Sequence, residues 1–144
     1  MTVEKRLIDT NIIVYAYDIT EIEKHPICKA IVKEVWLEGG GIVTLQNLME
    51  FFVAVTRKVE KPLPVKVARI IVEDILQSEK WIVVDRNENT FLKAMELVEK
   101  YNSPFWDSLI AASMLENDVR EILTENTKDF GKIAEIKVIN PFQR

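Results

Sequence analysis

The sequence contains a single histidine, His25, and a single cysteine, Cys28. One histidine excludes a mechanism that uses two histidines as acid and base within one chain, and it excludes a zinc site built from several histidine or cysteine ligands. One cysteine cannot form an internal disulfide, which is typical of a reducing compartment, so we expect a cytoplasmic protein. His25 directly precedes Pro26 near a predicted helix start, which favours a structural role. If the chain is an enzyme, carboxylates, alone or with a metal, must carry its chemistry.

The sequence also lacks long apolar runs, repeats and low-complexity segments. Its longest apolar run, Ile12–Tyr17, ends at Asp18 and is far shorter than the ~18 residues that span a bilayer. Residues 1–6 carry charges of both signs and lack the apolar core of a signal peptide. We therefore expect no membrane attachment. A chain of 144 residues is the size of one domain, so we expect a single domain over 1–144.

A strong positive charge is absent as well, since the formal net charge is −4 at pH 7. The whole molecule therefore does not attract nucleic acid electrostatically. A nucleic-acid partner would have to meet a local basic patch, or a bound metal that reverses the local sign.

Short apolar runs rich in β-branched residues alternate with segments of helical spacing. This alternation predicts an α/β domain with a parallel sheet covered by helices. The predicted strands are Arg6–Asp9, Ile42–Leu45, Trp81–Val84, Glu121–Leu123 and Lys137–Ile139. The predicted helices cover Pro26–Leu37, Asn47–Lys58, Pro64–Ser78, a segment from Phe91 onwards, and a segment that Ser103 caps and Pro104 opens.

Four acidic residues follow predicted strands or open a predicted helix. Asp9 closes the first strand, Glu50 lies on the helix after the second, and Asp129 follows the strand Glu121–Leu123. Asp107 lies in the first turns of the helix that Pro104 opens. In open parallel sheets, sites collect beyond the carboxyl ends of the strands, and several carboxylates from separate elements are what Mg²⁺ requires.

The competing interpretation is structural. The chain has 23 acidic residues, most of which must be solvated surface. Asp107 could favour a helix dipole, by ~0.3–1 kcal/mol, and Asp129 could be a turn or cap residue. Asp9 is flanked by apolar residues, and burying it without partners would be costly.

Five segments, in order, resemble the motifs of PIN-domain nucleases. The resemblance spans nearly the whole chain, and it is specific because the motifs occur together rather than singly. They are Leu7–Asn11 for the opening motif, Thr44–Phe52 for the second, Phe105–Ala112 for the third, Ile122–Phe130 for the fourth and Ile136–Phe142 for the closing strand.

The resemblance implies a three-layer α/β/α sandwich with a central parallel sheet, a Mg²⁺ or Mn²⁺ site and cleavage of RNA. Members of this size resemble the VapC toxins of toxin–antitoxin pairs, which implies a homodimer and a small antitoxin partner. By position, Asp9, Glu50 and Asp107 correspond to the conserved acids. Asp9 and Asp107 would hold the metal. Three neighbouring polar residues correspond to supporting positions: Thr10, Asn11 and Thr124.

The fourth motif departs from the family pattern. Many relatives place an aspartate two residues after the threonine, and this chain has Asn126 there. Asparagine can still ligate or hydrogen-bond through its carbonyl, but it brings no charge. Some relatives use the acid three residues later, so we expect Asp129 to be the fourth acid, ahead of Glu125. The departure leaves open whether one metal or two is bound.

Three residues are candidates for RNA contact. Arg57 and Lys58 belong to a basic region after the helix of Glu50, which would make binding dependent on salt, although a solvated helical face is the favoured interpretation. Trp106, next to Asp107, could stack on a base. Trp36 and Trp81 lie in apolar runs and are predicted to be in the core.

Other function classes are less well supported. A phosphatase with an aspartyl nucleophile needs a second aspartate at position 11, where the chain has Asn11. A receiver-like domain needs paired acids before its phospho-acceptor, and only Glu4 precedes Asp9. Two alternatives within the PIN family remain open: an RNA-processing nuclease outside any toxin–antitoxin pair, and a catalytically silent interaction module, which Asn126 favours.

Overall fold

The structure, a computed structural model, describes residues 4–143, and in that part of the chain five strands alternate with seven α-helices. The strands are β1 (Arg6–Ile8), β2 (Gly41–Thr44), β3 (Trp81–Val84), β4 (Glu121–Leu123) and β5 (Lys137–Ile139). The helices are α1 (Thr10–Tyr17), α2 (Lys24–Glu38), α3 (Leu45–Val53), α4 (Val65–Gln77), α5 (Glu88–Tyr101), α6 (Phe105–Glu116) and α7 (Thr127–Phe130). A π-helical segment, Ala54–Lys58, continues α3. None of the described helices combines the length and apolarity that crossing a membrane requires.

The sheet has the strand order β3-β2-β1-β4-β5, and every pairing is parallel. The chain runs outward from β1 through β2 to β3, and then returns to the other side of β1 to form β4. Where the direction of winding reverses, the connections after the two central strands leave in opposite directions and open a crevice beyond their carboxyl ends. The residues that follow β1 and β4 border this crevice.

Two apolar cores lie on opposite faces of the sheet, because successive strand residues point to opposite sides. Leu7 of β1 and Ile122 of β4 pack into the core formed with α5, α6 and α7. Their neighbours Ile8 and Leu123 pack into the core formed with α1, α2, α3 and α4. The predicted three-layer α/β/α sandwich with a central parallel sheet is thereby confirmed.

Two helix starts differ from the sequence prediction. Ser103 does not cap α6: Pro104 occupies the cap position, and the Ser103 hydroxyl contacts the Ser108 hydroxyl at 2.6 Å instead. The helix before it begins earlier than predicted, at Glu88, because Asn87 and Thr90 form a reciprocal capping box. Turn-forming polar residues compete locally for backbone partners, so the exact cap depends on the loop around it.

Residues predicted to be structural are confirmed as such. Cys28 and Trp81 are buried, and the half-buried Trp36 packs edge-to-face on Trp81 at 6.0 Å between ring centroids. His25 Nδ1 lies 2.8 Å from the carbonyl oxygen of Tyr15, which connects the start of α2 to α1.

Candidate active site

Asp9 lies where β1 ends and α1 begins, at the crevice beyond the strands. Its backbone N–H donates to Leu123 O of β4 at 3.0 Å, and its carbonyl accepts from Ile12 N of α1 at 3.1 Å. The residue is the N-cap of α1 and is only 7% exposed. Bonds to both a strand and a helix fix its backbone, so its carboxylate is held at one place.

Four donors surround the Asp9 carboxylate. Thr10 N and Asn47 Nδ2 donate to Oδ1, at 2.9 and 3.4 Å, and Thr124 Oγ1 and Asn11 Nδ2 donate to Oδ2, at 2.6 and 3.2 Å. Burial raises the pKa of Asp9 above its ordinary value, and the nearby charge of Glu50 adds to this, while the hydrogen bonds oppose it. The hydrogen bonds to Asp9 therefore offset only part of the free-energy cost of burying its charge.

Asn47 is a site residue that the sequence analysis did not identify. It is fully buried, and its Oδ1 accepts from Thr44 N at 3.0 Å while Thr44 Oγ1 accepts from Asn47 N at 3.0 Å, a capping box that starts α3. Its Nδ2 also donates to Thr10 Oγ1 at 2.9 Å. The signal in the sequence was the Thr-x-x-Asn spacing, but only the fold shows that the amide also faces Asp9.

Glu50 lies on α3, on the exposed side of the crevice. Its Oε1 accepts weakly from Thr10 Oγ1 at 3.5 Å and from Gln46 Nε2 at 3.4 Å. Gln46 Oε1 in turn accepts from Arg86 Nη1 at 2.7 Å. Glu50 is therefore the most solvated of the predicted acids, with a carboxylate that can reorient toward water or a ligand.

Asp107 lies in the first turn of α6 and faces the same crevice. Its Oδ2 accepts from Asn126 Nδ2 at 3.4 Å. Burial, then the charges of Asp129 and Asp9 and finally that of Glu50, raise the pKa of Asp107 to about 6, against the lowering effect of Asn126. Repulsion between carboxylates from four different segments shows that the fold brings the predicted acids together.

These elements enclose a cleft of about 360 Å³ whose wall contains the carboxylates of Asp9, Glu50 and Asp107. Thr10, Asn11 and Asn126 line it as well, and the wall includes Trp106 but no lysine or arginine. Over residues 4–143, no three histidine, cysteine, aspartate or glutamate side chains converge into a ready-made metal cage. The donor set still fits Mg²⁺ or Mn²⁺, because such ions use one or two carboxylates and complete their coordination with water and phosphate.

The remaining predicted residues lie outside the cleft wall. Asp129 is near enough to raise the pKa of Asp107, but its Oδ1 lies 3.9 Å from Lys132 Nζ. Glu125 turns to the other side of its loop, where Lys24 binds it. Arg57 and Lys58 are exposed on the π-helical segment, beyond Ala54, which is the part of that segment in the wall. Asn126 is thus the residue of the fourth motif that enters the cleft.

Lys24 fixes the loop that carries the fourth motif. Its Nζ lies 2.9 and 3.0 Å from the two carboxylate oxygens of Glu125, and 4.9 and 5.4 Å from the ring centroids of Tyr15 and Phe142. The neighbouring residue Thr124 holds Asp9. Lys24 therefore connects α2 to the loop whose Thr124 supports the carboxylate of Asp9.

We expect Lys24→Met to lower the RNA cleavage that the sequence motifs predict by roughly tenfold, the lower end of the range for residues that orient ligands through others. Stability should change by less than about 1 kcal/mol, because the ion pair is partly exposed. Lys24→Arg should restore most of the activity, and Lys29→Met on the same helix is the control. Activity of Lys24→Met equal to that of the control would contradict the positioning role. Kinetic assays and thermal melts of the three variants provide the measurement.

The raised pKa of Asp107 predicts how metal-free stability depends on pH. A carboxyl whose pKa is about 6 in the folded chain, against an ordinary aspartate pKa of 3.8 in the unfolded chain, stabilises the fold while it is protonated and loses that contribution as pH rises through about 4 to 6. We expect Asp107→Asn to gain stability over wild type in EDTA as pH rises. The gain should be of order 1 kcal/mol after allowance for partial exposure, or roughly 2–4 °C in Tm. A difference in Tm that stays constant from about pH 4.5 to 7.5 would contradict this.

The molecule is an α/β/α protein with a carboxylate-lined cleft beyond the carboxyl ends of a parallel sheet. Comparison with known proteins assigns the family of this fold. The PIN domain family matches residues 6–136. The chain therefore belongs to the PIN domain family, as the sequence motifs had indicated. It is a family of nucleases, which are hydrolases that act on nucleic acid. A comparison with curated protein sequences found no match.

Solved structures share the fold at low sequence identity. A toxin–antitoxin complex from Klebsiella pneumoniae aligns with a TM-score of 0.67 and 19% identity, over 95% of this chain and 98% of that one. VapC20 of Mycobacterium tuberculosis, described as a toxin that cleaves the sarcin–ricin loop, aligns with a TM-score of 0.66 and 13% identity, over 92% and 98%. DNA-bound VapBC from Salmonella typhimurium aligns with a TM-score of 0.65 and 16% identity, over 96% and 99%.

Proposed function

We propose that this protein is a metal-dependent endoribonuclease that hydrolyses RNA phosphodiester bonds, and that it is the toxin of a toxin–antitoxin pair. The observation that carries the nuclease proposal is the convergence of Asp9, Glu50 and Asp107 on one cleft without a compensating lysine or arginine. Such a cleft repels a phosphodiester unless a cation neutralises it, so the acids and the polyanion are compatible only through a metal.

Asp9 and Asp107 would hold the cation, Mg²⁺ or Mn²⁺, directly or through water. When bound, such an ion neutralises charge on the phosphodiester and lowers the pKa of water. Four hydrogen-bond donors keep the Asp9 carboxylate in one orientation. Asn126 does the same for Asp107, through one weaker bond.

Glu50 is placed to orient and deprotonate the attacking water. Its carboxylate is exposed and only weakly held by Thr10 and Gln46, so it can turn toward a bound phosphodiester. A general base must lie within hydrogen-bond reach of the proton it takes, and Glu50 lines the same cleft wall as Asp9 and Asp107. Water would add to phosphorus and give its proton to Glu50, while the bond from phosphorus to the leaving oxygen breaks and that oxygen takes a proton from solvent.

The toxin assignment and an antitoxin partner are supported by structural relatives that are toxin–antitoxin complexes. A groove of about 470 Å³ between α1 and α2 offers a surface for a partner, with Trp36 and Leu37 in its wall and Lys29 and Lys33 beside them. Its charges would suit an apolar segment flanked by acidic residues. We further propose a homodimer and a cytoplasmic location, which gel filtration and cell fractionation test.

A silent interaction module is the second candidate, and Asn126 is the observation that favours it. The amide enters the cleft at the position where many relatives carry an aspartate, so one negative charge is missing there. A site with fewer carboxylates binds a divalent cation less tightly. Under this alternative the protein would bind a metal weakly and cut nothing.

The experiment that separates these candidates is incubation of mixed RNA with the purified, folded chain in Mg²⁺, in Mn²⁺ and in EDTA. We expect cleavage in the first two conditions and none in EDTA. Absence of cleavage in every condition, from protein free of a bound inhibitor, would overturn the nuclease proposal and favour the silent module. Asn126→Asp would then be the variant to make, and gain of cleavage in it would identify the missing charge.

A further inference from the structure

A second cavity adjoins the acidic cleft, and Trp106 belongs to the walls of both. The second cavity has a volume of about 440 Å³ and lies between the β3–α5 connection and the start of α6. Its wall is mainly aromatic, with Phe91 and Phe105 beside Trp106, and it carries one cation, Arg86. The proposed mechanism uses none of these side chains.

Trp106 is held in place while most of its indole stays open. Phe105 packs edge-to-face on it at 5.1 Å between centroids, and Phe91 packs on Phe105 at 5.8 Å. Trp106 is nevertheless 60% exposed, and Phe91 is 50% exposed. A rigid aromatic surface of this kind, open to solvent, is what nucleic-acid proteins use to stack unpaired bases.

Arg86 supplies the charge that the acidic cleft lacks. It makes a hydrogen bond to Gln46 at 2.7 Å, and no acidic side chain in the described part of the chain forms an ion pair with it. Through Gln46 it is connected to Glu50, so it stands at the border between cleft and cavity. A guanidinium there can bind a phosphate next to the one in the cleft.

Glu88 also lines the cavity and determines what part of a nucleotide fits. Its charge opposes a second phosphate inside the aromatic part of the cavity. A neutral base fits instead, since the carboxylate can accept a hydrogen bond from an exocyclic amino group. The two charges therefore determine the orientation of a bound nucleotide, with its phosphate at Arg86 and its base at Trp106.

We infer that the cavity bounded by Arg86, Glu88, Phe91 and Trp106 is a nucleotide subsite. It binds the unpaired nucleotide next to the scissile phosphate of single-stranded RNA, with the base stacked on Trp106 and its phosphate on Arg86. This inference rests on the proposed ribonuclease function for its substrate, but not for its binding chemistry. A second copy of this chain covering the same aromatic residues is the competing occupant.

The test is a stopped-flow tryptophan-fluorescence titration of the full chain with a short single-stranded oligoadenylate in Mg²⁺, which neutralises the acidic cleft, read before cleavage accumulates. Stacking on the exposed indole should quench the emission. Trp106→Phe should abolish the quench, because Trp81 is buried and the half-buried Trp36 lies in the groove between α1 and α2. Arg86→Ala should weaken binding by roughly tenfold, the loss expected for a hydrogen bond to a charged group. Arg120→Ala removes the same charge just before β4, at the opposite edge of the sheet, and its affinity should stay within about twofold of wild type.

Three binding results would overturn the subsite. They are a quench that survives in Trp106→Phe, equal affinities for Arg86→Ala and Arg120→Ala, and loss of self-association in Trp106→Ala without any change in oligoadenylate affinity. The third result would assign the aromatic residues to a contact between copies. Metal-dependent RNA cleavage with an unchanged KM in Arg86→Ala would remove the subsite and leave the nuclease. Oligoadenylate binding without any RNA cleavage would leave the subsite and remove the nuclease.

Discussion

Replacement of Asp9 by asparagine is expected to reduce RNA cleavage by at least about a hundredfold. A bound divalent cation contributes several kcal/mol to stabilising the transition state, and each ~1.4 kcal/mol corresponds to tenfold in rate. Asp9 is the acid that the structure holds most firmly, through four donors and a backbone fixed to β4 and α1. An amide cannot replace its charge, so the metal would be lost from this side of the cleft.

The same variant should fold as well as wild type without metal. Asparagine is as good an N-cap as aspartate, its carbonyl can accept from Thr10 N, and its amide can donate to the hydroxyl of Thr124. Removal of a buried charge also removes repulsion with Glu50. We therefore expect the Tm of Asp9→Asn in EDTA to lie at or above the wild-type value, and the rise in Tm that Mg²⁺ gives wild type to disappear.

Asp18 provides a matched control for this experiment. It is an aspartate at the other end of α1 with the same 7% exposure, and its carboxylate accepts from Thr20 rather than facing the cleft. Asp18→Asn should keep cleavage within about twofold of wild type. Full activity in a folded Asp9→Asn chain, or equal losses in both variants, would remove Asp9 from the metal site.

Truncation of Asn47 to alanine should give the largest loss of stability among the site residues. The change removes the Asn47 half of the capping box, although Thr44 still caps α3, and it leaves the Thr44 N–H buried without its acceptor, at a cost of about 1–3 kcal/mol. It also takes one donor from Asp9 and one from Thr10. We expect the free energy of unfolding to fall by roughly 2–3 kcal/mol and the Tm by about 5–10 °C.

Two further variants separate the two roles of Asn47. Asn47→Asp retains an oxygen to accept from Thr44 N but faces Asp9 with a second carboxylate, so it should be destabilised near neutral pH and recover as pH falls. Asn47→Ala should show no such recovery. Met49→Ala, an exposed position on the same helix, is the control and should change stability by less than about 0.5 kcal/mol. Thermal and denaturant unfolding provide the values, and a Tm of Asn47→Ala within a degree or two of the control would contradict the prediction.

Much of the fold could be read from local pattern. The strands β3, β4 and β5 have the predicted bounds, because short β-branched runs between turn residues identify buried parallel strands. The parallel alternation then predicts that residues after strands share one edge of the sheet. That rule predicts one edge for Asp9 and Glu50. Asp107 follows no strand, and it was predicted to join them from the resemblance of Phe105–Ala112 to the third family motif. All three line a single cleft.

The residues that the sequence could not assign are those whose role depends on contacts between distant segments. Asp129, Glu125 and Asn126 lie within five residues of one another, and spacing alone does not say which of them enters the cleft. The answer depends on Lys24, which lies 101 residues before Glu125 and draws that side chain away. Asp129 lies outside the cleft wall but is close enough to raise the pKa of Asp107, whereas Asn126 lines the wall beside Asp107.

The sequence by itself thus determined the order of the elements, the parallel sheet and the edge at which Asp9 and Glu50 lie, since each follows from periodicity within an element or from the direction of its strand. The tertiary structure alone decided that β4 pairs with β1, that Asn47 faces Asp9, and that Arg86, rather than Arg57 or Lys58, borders the cleft. The physical reason is that spacing along the chain fixes which side of an element a residue occupies. Which loops meet across the sheet depends on the strand order, and the strand order is set by how the whole chain packs around its two cores.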